Sequence, residues 1–125
     1  MAKYRQERVA SEILRELSGI ILLEVKDPRV HDITLTDVTM SSDLSVASVR
    51  YFCAEGVDKD EVQKGIEHVM PFLRRAIGER IELRRVPDLH FYYDKGMEHS
   101  ARMEALFAKL HAEGQMGPGD PESDK

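Results

Sequence analysis

The apolar periodicity of this chain changes at Asp27-Pro28, and that change constrains the fold more than any other feature. Before it, Val9, Ala10, Ile13, Leu14, Leu17, Ile20 and Ile21 recur at helical spacing. At about 100° per residue they fall within an arc of roughly 140°, which predicts a helix over residues 5–25. The dipeptide ends it, because the residue before a proline is pushed out of the α region. Beyond it, residues 33–40 are rich in Thr, Val and Ile, the composition of a strand. The apolar phase there slips from Ile33 and Leu35 to Val38 and Met40 with Asp37 at the slip, which predicts a β-bulge. Residues 41–45 read as a turn. Residues 46–54 then place Ala47, Val49, Tyr51 and Cys53 on one face of a second strand, with Ser48 and Arg50 on the other. The two strands make a hairpin.

The remainder adds helix, strand and helix. Asp58-Lys59-Asp60-Glu61 offers an N-cap with an acid three residues on. Val62, Ile66, Val69 and Met70 then share one helical face, and Phe72, Leu73, Ala76 and Ile77 form a second one before Gly78. Proline is disruptive inside a helix, so Pro71 predicts two helical pieces with a kink at Val69-Met70-Pro71. Pro87 splits an extended stretch and leaves Leu89, Phe91 and Tyr93 alternating on a third strand. A last helix over about residues 97–112 carries Met103, Leu106, Phe107 and Leu110 on one stripe. The order is α-β-β-α-kink-α-β-α: an α+β chain with a three-stranded sheet and helices on one face, which matches the type II KH topology. KH modules clamp a nucleic-acid backbone at a GXXG loop, and no GXXG occurs near the kink. The 125 residues suit one domain, read as residues 1–112. Residues 113–125, interrupted by Gly and Pro and without a large apolar residue after Met116, read as a disordered acidic tail.

The net charge of −5 argues at first against a nucleic-acid partner. Its distribution says otherwise. Residues 111–125 carry four acids and one base, whereas residues 1–110 hold 17 bases against 19 acids. Within that near-neutral body, Arg74, Arg75, Arg80, Arg84 and Arg85 face only Glu79 and Glu82 over residues 74–85. Such arginine density is the electrostatic signature of phosphate binding; the alternative is a solvated surface. On the first helix, Arg8, Arg15 and Lys26 fall within about 20° of one another opposite the apolar face, and Leu22 points the same way.

No catalytic constellation is visible. His31, His68, His90, His99 and His111 are scattered, without a paired spacing or a Cys companion. His99 falls on the stripe of the last helix, where partial burial is expected, and Asp94, Glu98 and His99 form a weak local cluster. Cys53 lies on a core-facing phase and reads as a buried structural thiol. Gly56, Gly65 and Gly78 are isolated, so no Gly-rich phosphate loop exists, and Tyr92 is the one aromatic of its strand placed to stack on a base. No metal, cofactor or small-molecule substrate is therefore expected. No apolar run approaches the roughly 20 residues of a membrane span. The charged start of the chain and a lone cysteine point to a reducing cytoplasm.

Several stretches, taken in order, resemble the bacterial ribosome-binding factor A family. They are Arg5-Gln6-Glu7-Arg8-Val9-Ala10-Ser11-Glu12-Ile13 with Arg15-Glu16-Leu17, then Val25-Lys26-Asp27-Pro28-Arg29-Val30, and the hairpin segments Thr36-Asp37-Val38, Ser42-Asp43-Leu44 and Ala47-Ser48-Val49. Phe72-Leu73-Arg74, Gly78, Leu83-Arg84, Val86-Pro87-Asp88-Leu89-His90-Phe91, Tyr93-Asp94 and Ser100-Ala101-Arg102-Met103 complete the series, which covers about residues 5–110. The resemblance implies a non-enzymatic, monomeric KH-like protein that binds the small (30S) ribosomal subunit and 16S rRNA or its precursor. It further implies assistance in late maturation, including processing of the 16S 5′ end. With the charge pattern, it nominates Arg5, Arg8, Arg15, Lys26, Arg29, Arg74, Arg75, Arg80, Arg84 and Arg85 as RNA-binding residues. The family typically replaces GXXG by an Ala-x-Gly kink, and this chain departs from that with Val69-Met70-Pro71. Proline supplies no backbone N–H and Val69 adds bulk, both of which disfavour close approach of a phosphate. Two other readings compete: a protein-interaction module using the outer face of the first helix and the acidic tail, and a small metal-dependent hydrolase.

Overall fold

The computed structural model describes residues 2–116, with side chains described for residues 4–112. The chain divides into two compact units, the first ending at Asp94 and the second beginning at Lys95.

The first unit opens with α1 (Ala2–Leu23), whose Val9, Ala10, Ile13, Leu17, Ile20 and Ile21 are buried. The helix stops at Leu23, short of Asp27. The N–H groups of Glu24 and Val25 both donate to the Ile20 carbonyl, at 2.8 and 3.0 Å, and Val25 turns into the core. The expected ridge of Arg8, Arg15 and Lys26 is therefore broken, because Lys26 lies in the connection after the helix and not on its surface. Asp27 instead caps a short 3₁₀ turn, Pro28–Val30. Its backbone is extended, as the following proline requires, and its side chain accepts from the Arg29 N–H at 3.0 Å.

β1 (Ile33–Met40) and β2 (Val46–Cys53) form the antiparallel hairpin. The register passes from Leu35 opposite Tyr51 to Asp37 opposite Arg50, so Thr36 is the extra residue of the bulge. That one insertion lets Ile33 on one side of it and Val38 and Met40 on the other all face the core. In the turn, Leu44 takes a φ of 63°, held by the carboxylate of Asp43. The latter accepts from the hydroxyls of Ser45 at 2.7 Å and Ser41 at 2.9 Å, and from the Ser45 N–H at 3.1 Å.

α2 (Lys59–Arg80) begins at Asp58, whose side chain accepts from the N–H groups of Asp60 and Glu61 at 2.9 and 3.3 Å. The two pieces expected around Val69-Met70-Pro71 are joined in this one helix, with Pro71 inside it. The two apolar faces likewise merge into one buried stripe of Val62, Ile66, Val69, Leu73, Ala76 and Ile77. Phe72, assigned from sequence to the core-facing set, is left outside that stripe and exposed. Pro71 is exposed as well, so the Glu67 carbonyl that loses its donor to the proline ring lies on the solvent side. Open to solvent, it needs no protein partner there.

β3 (Asp88–Tyr93) runs parallel to β2, which makes β2 the central strand, and the β2–α2–β3 connection is a crossover of the kind parallel pairing requires. Leu89 and Phe91 face the core; His90 and Tyr92 face the other way. The fold is the expected α+β arrangement. In the second unit, α3 (Lys95–Met116) carries Met103, Leu106, Phe107 and Leu110 along one side, and His99 is exposed where partial burial was expected. The helix extends through residues 113–116 of the expected tail; residues 117–125 lie outside the described residues.

Two features yield measurable consequences. A Cβ at Gly65 would lie 2.7 Å from Arg29 Cβ and 3.1 Å from Val30 Cγ1, so the 3₁₀ turn sits directly against α2. Gly65→Ala should destabilise the fold by about 1–3 kcal/mol, as overpacking does, measured by denaturant unfolding. The Ser45 and Ser41 bonds hold the Asp43 carboxyl down at about 2. A carboxylate depressed by folding stabilises above its unfolded pKa, near about 4, and that stabilisation vanishes as pH falls through the folded value. Asp43→Asn should therefore lower the thermal midpoint at neutral pH and matter progressively less between pH ~4 and ~2. An equal loss at both ends of the range would contradict this role.

Candidate nucleic-acid interface

The ten nominated cations separate by what their charges already touch. Arg80, in the last turn of α2, makes a bidentate pair with Glu24, both contacts at 2.5 Å. The guanidinium holds the Glu24 carboxyl below its usual range, and the carboxylate raises Arg80 in turn. This pair straps the end of α2 to the segment that follows α1. Arg29 is tied in the same way: its Nε and Nη2 donate to the two oxygens of Asp27 at 3.0 and 2.7 Å. Those bonds push Asp27 down to about 2. Both arginines are built into the fold, with their charges matched by carboxylates.

Arg74 is held more loosely. It donates to the Val86 carbonyl at 3.4 Å and stands 3.6 Å from Asp88, at the entry to β3. Arg75 is exposed on α2 and takes no part in the ion pairs of the described residues. Arg8 and Arg15 are exposed along α1.

The structure brings Arg5 to Arg84 and Arg85. These three line one concavity of about 440 Å³, whose remaining walls are Leu83 and residues 42–45 of the hairpin turn. The first turns of α1, the β1–β2 turn and the segment before β3 thus converge, although they are far apart in the chain. Asp43 lies in the same wall with its Oδ1 taken up by serine donors. The serine-rich turn and Leu83 enter the sequence reading only within stretches that resemble the family and were given no binding role, because they carry no charge pattern that would mark one.

Lys26 lines a second concavity, of about 610 Å³, together with Glu24, Asp27, Pro28, His68, Val69 and Phe72. At the kink itself Val69 is buried, Met70 half-buried and Pro71 exposed. The nominations from sequence are therefore brought together in part: Arg5, Arg84 and Arg85 at one place, Lys26 beside the kink at another, with Arg8 and Arg15 along α1.

Other candidate chemistry stays apart. No cluster of three metal-ligating side chains occurs among the described residues. Cys53 is buried, which pushes its thiol up and away from reactivity. Tyr92 is half exposed on the outer face of the sheet, as its strand phase implies, with Arg50 opposite it in register and paired at 3.7 Å with Asp37.

Comparison with known proteins agrees with this architecture. The family profile described as ribosome-binding factor A matches residues 5–107. Ribosome-binding factor A of Aromatoleum aromaticum is 42% identical over 107 residues, covering 85% of this chain and 84% of the relative. That of Thioalkalivibrio sulfidiphilus is 42% identical over 123 residues, covering 97% and 95%. Among solved structures, the crystal structure of ribosome-binding factor A from Thermus thermophilus aligns with a TM-score of 0.64 at 25% identity, over 70% of this chain and 93% of that one. A homology model of Thermus thermophilus ribosome-binding factor A fitted into the cryo-EM map of a 30S complex aligns with a TM-score of 0.58 at 26% identity, over 69% and 91%. On sequence and fold together, this chain belongs to the ribosome-binding factor A family.

Proposed function

We propose that this protein binds the small ribosomal subunit through 16S rRNA or its precursor and assists late maturation, including processing of the 5′ end, as a non-enzymatic cytoplasmic monomer. The observation that carries the reading is the convergence of Arg5, Arg84 and Arg85 on one concavity. None of the three takes part in the ion pairs of the described residues. Guanidinium groups free of carboxylate partners are the ones able to displace counterions from phosphates. The 30S complex of the Thermus thermophilus relative supports the choice of partner. Family membership supports a binding role.

A protein-interaction module would draw on Leu22 and Leu23, which are 76% and 79% exposed at the end of α1. Salt dependence separates the two readings. Binding to purified small subunits, followed by co-sedimentation across a salt series, should weaken steeply as salt rises. Replacing Arg5, Arg84 and Arg85 together by Ala should reduce the slope of log K against log salt by about two to three. Arg80→Ala should lower the thermal midpoint and leave that slope in place, since its charge is committed to Glu24. Equal affinity and slope for the triple variant and the wild type would remove these residues from the interface. Failure of the wild type to sediment with small subunits at low salt would remove the reading itself.

A further inference from the structure

We propose that the concavity beside Pro71 accepts one unpaired RNA base, stacked on Phe72, with the adjoining phosphate at Lys26. This deepens the RNA-binding reading above and rests on it. Phe72 is 36% exposed although it follows the helical spacing of core residues. The buried stripe of α2 runs through Val69 and Leu73 on either side of it, so the ring is turned out of the core and into the wall of the concavity. Pro28 and Val69 line the same concavity and give apolar surface suited to the face of a base, while Lys26 and His68 supply polar edges.

Charge selects the occupant. The concavity has two acids in its wall, and each is paired with an arginine outside that wall: Glu24 with Arg80 at 2.5 Å and Asp27 with Arg29 at 2.7 Å. Lys26 is left as the uncompensated charge of that wall, so the surface favours an anion next to an apolar, aromatic floor. A nucleotide has both parts. An unpaired one is required, because bases inside a duplex do not offer a free π-face. The kink sequence points the same way. Pro71 has no N–H to give a phosphate, so recognition at this position falls to side chains and moves from the backbone of the RNA to its bases.

The test uses the full chain, a single-stranded RNA octanucleotide and the blunt duplex of the same sequence. Phe72→Leu keeps an apolar side chain but removes the π-face. It should lower affinity for the single strand roughly tenfold, leave the duplex affinity unchanged, and leave the salt slope unchanged. Phe72→Tyr should bind as the wild type does, and Lys26→Ala should reduce the salt slope by about one. The natural sequence contains no Trp, so Phe72→Trp introduces a single fluorophore that a stacked base should quench with the single strand and not with the duplex. If wild type shows salt-dependent binding to small subunits while Phe72→Leu matches it on the single strand, or if Phe72→Trp is not quenched at saturating single strand, the base site is overturned and the RNA-binding reading stands. If the wild type binds neither RNA nor small subunits, both fall.

Discussion

One face of the β1–β2–β3 sheet has to be covered, and α1 and α2 cover it with the most deeply buried side chains of the first unit: Ile13, Leu17 and Ile20 from α1, and Ile66, Leu73 and Ile77 from α2. Each fully buried side chain of this size is worth about 1.5–3 kcal/mol against exposure. The α2 stripe continues without a break across Pro71. Keeping Val69, Leu73, Ala76 and Ile77 on the sheet requires the helix to remain one element there, at the cost of one hydrogen bond on its wet side. The same requirement turns Phe72 outward. An exposed aromatic ring beside an exposed proline is thus a consequence of core packing, and it is this consequence that gives the neighbouring concavity its character.

Charge is arranged with the same economy. Arg29 and Arg80 belong to the same class of residue as Arg84 and Arg85 in the sequence, but each closes on a carboxylate and joins segments: Arg29 fixes the 3₁₀ turn against Gly65, and Arg80 fixes the end of α2 to Glu24. These pairs neutralise two acids as well as two bases where they lie. Among the nominated cations, those outside the ion pairs of the described residues are Arg5, Arg84 and Arg85 around one concavity, Arg8 and Arg15 along α1, Arg75 on α2, and Lys26. A net charge of −5 therefore coexists with patches that suit phosphate, because the pairing of charges and not their sum sets the local field.

Much of the fold was legible in the order of residues. The bulge at Thr36 follows from the slip of apolar phase around Asp37, the α2 N-cap from Asp58 ahead of Asp60 and Glu61, and the outer face of β3 from the alternation of Leu89, His90, Phe91 and Tyr92. Each rests on a local rule with a period of two or three to four. The end of α1 was less legible. The proline rule sets an outer limit at Asp27, yet the helix closes at Leu23, where burial of Val25 draws the chain inward. Lys26 was displaced from the α1 ridge for that reason, and Phe72 from the core for the reason given above.

The candidate site shows the division most clearly. Composition and spacing alone established an α+β chain with one hairpin and a third strand, a basic stretch over residues 74–85, and a kink sequence ill suited to clamping phosphate. They did so because periodicity, proline chemistry and charge density are properties of neighbours along the chain. Which arginines are free was settled only in three dimensions, where Glu24 reaches Arg80 across 56 residues, and where Arg5 meets Arg84 and Arg85 in one wall. Ion pairing and concavity depend on distances that sequence separation does not encode. The tertiary structure therefore decides which charges hold the fold together and which are left without a carboxylate partner.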